Sequence, residues 1–305
     1  MVSRMFSTML TQVTRAAWFR GSAMFGKLST MVWLALVLSA ASASAAPFVY
    51  VVTLSQQFGT LDLANGAFHA IGNPMPDQMT DLVWGPDGTL YSMTLTGADV
   101  GSLAKINPRT GVVTDIGPTG LGFNAFSLAG IRGKLYATDS SNNIYNVDAK
   151  TGEAILITAT GMPPDAIIPF TFNSDGTFNL CGQGFYPVGK ELYATMVSFA
   201  IDPNQTPPTI AHVFVPPAIY RIDPSTGNAT FVAETDPNLT AFVDVDEQVY
   251  GFKGVLDGFD HTYNFPVAHA EIVRLDLRTG RIGKPIEVDP TIGPIFGAAP
   301  IRHDR

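Results

Sequence analysis

The chain has 305 residues, 46% of them hydrophobic, and carries 18 Lys and Arg residues against 26 Asp and Glu residues. The formal net charge of −8 argues against nucleic acid or an anionic membrane surface as a partner, because both repel an acidic protein. Cys181 is the single cysteine, so no internal disulfide bond can form.

The first 46 residues have the order of a secretory signal peptide. A basic segment without acids (Arg4 to Lys27) precedes a short apolar run (Met31 to Leu38) and a stretch of small residues (Ser39 to Ala46). We therefore predict a signal peptide over 1–46 and export to a bacterial periplasm or the exterior, with an uncleaved membrane anchor as the alternative. Cleavage would leave 14 basic against 26 acidic residues, and no second apolar span follows.

One short unit, a strand, a tight turn and a second strand, recurs along the rest of the chain. In its clearest copy, Ile219 to Gly227 (IYRIDPSTG), apolar and polar residues alternate as in a pleated strand before turn residues follow. The other copies, one of them degenerate, are Leu103 to Gly111, Ile144 to Gly152, Ile272 to Gly280 and Gly59 to Gly66. Five copies of one supersecondary unit predict a repeat fold.

Each unit follows an apolar strand, a turn and a second strand that often begins with Leu-Tyr, as at Leu90. Four strands per repeat, joined as an antiparallel meander, predict a propeller blade. The longest interval, Gly152 to Gly227, holds one such set, with its innermost strand predicted at 170–172, and we attribute its length to insertions. The fold class is thus all-β, a five-bladed propeller over 47–305, with six blades as the alternative.

The two ends of the predicted domain complement each other. The segment Gly293 to Pro300 has the pattern of an innermost strand, whereas Phe48 to Leu54 has the pattern of a second strand. We predict that the tail pairs alongside Val49 to Thr53 and supplies the inner strand of the first blade. A ring closed in this way leaves no inner strand edge unpaired.

The repeat resembles that of secreted bacterial β-propeller proteins, the broad group that includes the YVTN and NHL-type propellers. The resemblance rests on the pattern Leu-Tyr…Leu-Tyr-x-Ile-Asp-Pro-x-Thr-Gly…Ile-Gly and covers nearly all of 48–301. It implies the fold and little about activity, because this architecture hosts lectins, hydrolases, lyases, lactonases and plain scaffolds.

Two regions are candidates for a ligand site. Long loops on one face, predicted at 200–217 and 255–270, could bind a glycan, a peptide or a protein. The candidate residues in these loops are His212, Phe214, Asp257, Asp260, His261, Tyr263, Phe265 and His269. Their spacing matches no recognised metal site, so a solvated loop pinned by aromatic residues is the plainer interpretation.

The central channel is the second candidate. Asp81, Asn124 and Thr240 are predicted at its upper mouth, and Asn173 and Asp244 at its lower one. A propeller lactonase would need more acids around a divalent cation than Asp81 supplies, and Asp81 and Asn124 could equally well bond backbone groups.

We expect a binding or scaffold module rather than an enzyme, and the sequence predicts no cofactor, although a divalent cation such as calcium could bind at Asp-rich turns. No Gly-x-Ser-x-Gly or HExxH motif occurs. A propeller hydrolase or lyase acting on extracellular carbohydrate or lactone is the alternative, and it requires two carboxylates or a metal in one cleft.

Overall fold

A computed structural model describes residues 47–95, 100–122, 125–162, 172–260 and 265–302. The predicted signal peptide lies outside these ranges and stays a prediction. Within them, no helix is long and apolar enough to cross a membrane.

Antiparallel strands make up five sheets, each of which is one blade. Blade 1 contains β1 (Phe48–Thr53), β2 (Phe58–Asp62), β3 (Phe68–Ala70) and β21 (Ile295–Pro300). Blade 2 contains β4 (Met79–Trp84), β5 (Leu90–Thr94), β6 (Ser102–Ile106) and β7 (Val113–Pro118). Blade 3 contains β8 (Ala125–Ile131), β9 (Lys134–Asp139), β10 (Asn143–Val147) and β11 (Ala154–Ala159).

The last two blades have longer strands. Blade 4 contains β12 (Phe178–Val188), β13 (Glu191–Asp202), β14 (Thr209–Ile222) and β15 (Ala229–Glu234). Blade 5 contains β16 (Leu239–Val245), β17 (Gln248–Asp260), β18 (Phe265–Asp276), β19 (Arg281–Ile282) and β20 (Ile286–Glu287). In blade 5 both β19 and β20 pair with β18, so together they take the place of one outer strand.

The inner strands form a closed ring, which confirms the five-bladed propeller. Strand β4 contacts β8, β8 contacts β12, β12 contacts β16, β16 contacts β21, and β21 contacts β4. The tail strand β21 pairs with β1 in the register Val49↔Pro300 to Thr53↔Ile295, as the sequence predicted. Buried apolar residues fill the space between blades, and they include Val51, Leu61 and Phe252.

The hydrogen bonds and close contacts of the repeated turn explain why the same residues recur in it. In each copy the Asp or Asn side chain accepts a hydrogen bond from the backbone N–H two residues later, as Asp223 Oδ1 does from Ser225 N at 2.9 Å. The glycine that ends the turn has a positive φ and lies against a backbone carbonyl of the preceding blade, where a methyl group would overlap. The five pairs are Gly66 with Glu287, Gly111 with Ile71, Gly152 with Gly117, Gly227 with Ala159, and Gly280 with Glu234.

The innermost strand of blade 4 was placed wrongly by the sequence. It is β12 (Phe178–Val188), whereas Phe172 only forms a single bridge to Phe178 across a tight hairpin. The glycines at 182 and 184 made this segment resemble an insertion. Gly184 in fact leaves the room that the Tyr186 phenol ring occupies, since a methyl group there would overlap that ring.

The two predicted long loops are mostly strand. Strands β13 and β14 of blade 4 continue far beyond the blade, and only residues 203–208 connect them. Strands β17 and β18 of blade 5 do the same, with residues 261–264 outside the described ranges. We call these two extensions the ribbons; they project from the face of the ring where the inner strands begin.

Ring closure should depend in part on Trp84. Its Nε1–H donates to the Pro300 carbonyl at 2.7 Å, and its ring lies edge-on to Tyr50 at 6.3 Å. Trp84→Phe keeps an aromatic ring but removes the donor, and should lower the free energy of unfolding by about 1 kcal/mol. Urea unfolding of both proteins measures the difference; an unchanged midpoint would mean that this bond does not hold the tail.

Candidate functional site

The ribbons support each other through a small aromatic core of their own. Phe172 and Phe178 from blade 4 and Phe259 from blade 5 pack edge-to-face, with ring centroids 5.0 to 6.0 Å apart. Val197 and Phe199 of β13 are buried beside them. The ribbons are therefore held in place by packing rather than left as free loops.

The first stretch of β14 carries apolar side chains that remain in solvent. Ile210, Val213 and Phe214 are 38%, 51% and 40% exposed. Strand β13 pairs with one edge of this stretch, whereas β15 pairs with β14 only from Ala218 onward. Among the described residues, then, no strand covers the other edge of Thr209–Val215.

The predicted His and Asp candidates of the ribbons form two separate pairs. His212 Nε2 lies 3.1 Å from Asp175 Oδ2, and His269 Nδ1 lies 2.8 Å from Asp257 Oδ1. The Thr177 hydroxyl and N–H, aided by His212, lower the pKa of Asp175 to about 2. In the part of the chain that the structure describes, no three His, Cys, Asp or Glu residues are grouped as a metal site would need.

Several candidates cannot be placed as side chains. His261, Tyr263 and Asn124 lie outside the described residues. Asp260 and Phe265 pair with each other through their backbones at the tip of the blade 5 ribbon, and their side chains are not described. Their predicted part in a ligand site stays a prediction.

A cavity of about 250 Å³ opens in the channel on the face opposite the ribbons, where the inner strands end. We call it the channel cavity. Its wall includes Asp81, Tyr186, Phe242, Asp244, Trp84 and Arg302. The sequence placed Asp81 and Asp244 at opposite mouths, and that was wrong, because both residues line this one cavity.

Asp81 is held in an unusual position. A bulge between Thr80 and Val83 accompanies its left-handed φ of 53°, and the Asp81 residue is 5% exposed. Its Oδ2 accepts from Leu128 N of blade 3 at 2.8 Å, and its backbone carbonyl accepts from Ser92 Oγ at 2.7 Å. Burial raises the pKa of Asp81 to about 7, against the opposing hydrogen bonds.

A hydrogen-bonded chain connects Asp81 with blade 4. The Ser127 hydroxyl bonds to Asp81 and accepts from Phe185 N at 2.7 Å. Asp81 therefore satisfies backbone and hydroxyl groups of its neighbours, which is the plainer role that the sequence allowed for it. Gly297 of the tail lies so close to the Asp81 backbone that a methyl group would overlap it.

Sequence reasoning missed the importance of Asp244. Its Oδ2 accepts from Gly189 N at 3.1 Å, whereas its Oδ1 is buried and has no hydrogen-bond partner. The Phe242 and Tyr186 rings lie 4.1 Å apart beside it, and the Tyr186 hydroxyl donates to Thr240 O at 2.8 Å. No motif distinguishes Asp244, because its bonded oxygen, Oδ2, meets Gly189, which lies 55 residues away in the sequence.

Comparisons with known proteins add little to this geometry. No protein-family model matches the chain, and no curated protein matches it. The computationally designed Ika8 protein is 14% identical with a TM-score of 0.33, over 84% of this chain and 63% of that one. A protein of unknown function from Bacteroides caccae is 10% identical with a TM-score of 0.42, over 85% of this chain and 100% of that one.

Two further channel predictions have mixed outcomes. Thr240 lies near the start of the tail strand, where its hydroxyl lies 3.0 Å from both Phe252 O and Ile295 O. Asn173 is not in the channel: it lies in the hairpin before β12 and bonds Thr177 and Asn179. The error follows from the wrong inner strand of blade 4.

Proposed function

We propose that this chain is an exported β-propeller, of the broad secreted bacterial YVTN and NHL-like kind, that binds a partner polypeptide through the ribbon of blade 4. A propeller serves generally as a binding or scaffold module. The observation that carries the proposal is the open edge of Thr209–Val215. Between the proline pairs 207–208 and 216–217, this stretch contains no Lys, Arg, Asp, Glu or proline, the residues that normally prevent another strand from pairing with an edge.

The surroundings of this edge specify the partner further. Asp175 lies at the ribbon with a lowered pKa, and bonds from Asn204 N and the Gln205 amide lower the pKa of Asp202 nearby. Both carboxylates are therefore ionised at neutral pH. An extended segment with apolar residues and a basic flank fits this combination of edge and charge.

The partner classes left open by the sequence differ in what they need. A glycan would stack on exposed aromatic faces, of which the candidate Phe214 offers one at 40% exposure, whereas the side chains of Tyr263 and Phe265 are not described. A polypeptide needs free backbone N–H and C=O groups beside apolar side chains, which the edge of β14 offers. The described geometry therefore favours a polypeptide.

The enzymatic alternative requires two carboxylates or a metal in one cleft. Asp257 pairs with His269 on the blade 5 ribbon and does not line the channel cavity, whereas Asp81 does. Asp81 and Asp257 consequently do not share one cleft. Asp244 does line the channel cavity with Asp81, but the Asp81 carboxylate is bonded to Leu128 N and the Ser127 hydroxyl. A binding role accounts better for the ribbons than a hydrolase or lyase does.

A synthetic peptide tests the proposal directly. We expect a peptide of about ten residues with alternating Val and Thr and a Lys at each end to bind the exported protein. Val213→Lys should weaken this binding by at least about tenfold, because a charge on an edge strand opposes pairing. Binding is measured by calorimetry with the unmodified peptide and with one N-methylated at alternate residues, which cannot form the backbone bonds.

Val112→Lys is the matched control, because Val112 is 58% exposed but lies in the turn between β6 and β7, away from the ribbons. Its binding should equal that of the unaltered protein. Equal affinity for the N-methylated peptide, or equal losses in the two Lys variants, would contradict pairing at the β14 edge.

A further inference from the structure

The outer strand of blade 3 has an open, apolar edge. Strand β11 pairs with β10 on one side, and among the described residues no strand pairs with its other side. At its start Ala154 N donates to Thr119 O of blade 2, so the open stretch is 155–159. Ile155, Leu156 and Ile157 are 57%, 57% and 38% exposed. Three consecutive aliphatic residues beside an unpaired edge favour pairing with another strand.

The outer strands of the other four blades have features that oppose such pairing. Strand β7 contains Asp115 and Pro118, and β15 ends in Glu234. Strand β3 has only three residues, and blade 5 divides its outer strand into two short pieces with Lys284 and Pro285 between them. A bulge interrupts β7, β11 and β15 alike, so it does not distinguish them. Only β11 combines a full length with the absence of any charged residue or proline.

The chain that follows β11 turns inward. Met162, three residues after the strand, is 5% exposed and packs with Ile144 of blade 3 and Phe185 of blade 4. The exposed aliphatic side chains of β11 thus lie on the perimeter of the ring, where a second large molecule can approach without meeting the ribbons.

We propose that two copies of this chain associate through β11, as antiparallel neighbours related by a two-fold axis near Leu156. This arrangement places aliphatic side chains of the two copies together and the two Glu153 side chains at opposite ends. The chain has a net charge of −8, so its copies repel each other wherever acids meet, and the uncharged β11 edge avoids this. The β14 edge suits a second copy less well, because the ionised Asp175 and Asp202 lie near it.

The size of this interface sets its strength. One strand from each copy buries less than about 1,200 Å² in total, which is the range of weak complexes. We therefore expect a Kd of about 1–100 μM. Because both copies use the same edge, pairing occupies it fully and association ends at two copies. The dimer does not depend on the proposed polypeptide partner, which uses a different edge.

Sedimentation equilibrium of the exported protein, at concentrations from about 1 to 300 μM, tests this interface. We expect a monomer–dimer equilibrium without larger species. Leu156→Lys should weaken the dimer by at least about tenfold, because it places two like charges on the shared edge. Leu156→Thr keeps a strand-forming residue with less apolar surface and should weaken the dimer by at least about threefold, and it decides the matter if the Lys variant does not fold.

Two control variants locate the contact. Val112→Lys makes the same kind of change at a residue that is 58% exposed but belongs to blade 2, so dimerisation should not change. Val213→Lys alters the β14 edge and should also leave the dimer intact. A monomer at all concentrations would overturn the proposal, and so would assemblies that grow beyond two copies. Dimerisation that survives both Leu156 substitutions, or that Val213→Lys abolishes, would equally contradict pairing through β11.

Discussion

Replacing Asp81 with Asn should abolish a loss of stability that the unaltered protein suffers as the pH rises. Burial raises the pKa of Asp81 to about 7 from its ordinary value of 3.8. The folded state therefore keeps a proton that the unfolded state has already lost between these two values. The free energy of unfolding contributed by this group falls across that window, by about 4 kcal/mol in total.

The direction of this effect is opposite to that of an ordinary carboxylate. Below pH 4 the Asp81 carboxyl is protonated in both the folded and the unfolded state, so its burial does not lower the free energy of unfolding. Above pH 7 the folded state must bury the full charge of the carboxylate. Asn resembles the protonated acid, can still accept from Leu128 N, and tolerates the φ of 53°. Asp81→Asn should therefore be the more stable protein at pH 8 and nearly equal at pH 4.

Urea unfolding at a series of pH values measures the difference. Asp87→Asn is the control: partial burial opposes ionisation of Asp87, but bonds from Thr89 and Tyr91 outweigh it and lower the pKa. The Asp87 contribution is thus lost as the pH falls, which is the opposite sign. A stability profile of Asp81→Asn that parallels the unaltered protein from pH 4 to 7 would mean that Asp81 is ionised in the fold.

Local patterns explain why so much of the ring was predictable. The turn from Asp223 to Gly227 makes the same side-chain and backbone hydrogen bonds as the equivalent turn of every other repeat. The same residues therefore recur wherever the chain makes this turn. Alternation of apolar residues then fixes the strands on either side. The closure of the ring was predictable because the C-terminal segment has the pattern of an inner strand without a blade, and the first blade lacks an inner strand of its own.

Long-range packing explains what the sequence did not reveal. Phe178–Val188 contains two glycines and one proline, so its β-propensity is low; its position at the channel comes from contacts with β8 and β16. The surroundings of Asp81 and Asp244 come from other blades: Asp81 meets Leu128 and Gly297, and Asp244 meets Gly189. No local pattern records which side chains meet across a channel.

A second large effect is expected at the glycine that ends the last repeat. Gly280→Ala should lower the free energy of unfolding by at least about 3 kcal/mol. One part of this cost is the φ of 68°, which a Cβ disfavours by about 1–2 kcal/mol. The remainder arises because the new methyl group would overlap the Glu234 carbonyl of blade 4, so blades 4 and 5 must move apart.

Gly88→Ala separates these two contributions. Gly88 has a φ of 77° in a turn of blade 2, and a methyl group there meets nothing within 4 Å. Gly88→Ala should lower the free energy of unfolding only by the cost of the positive φ, about 1–2 kcal/mol. Urea unfolding monitored by tryptophan fluorescence measures this difference. Equal losses in the two variants would show that the glycine is required by its φ alone. A larger loss at Gly280 would mean that the repeat turn also joins neighbouring blades, which gives the same glycine a reason to occur in all five copies.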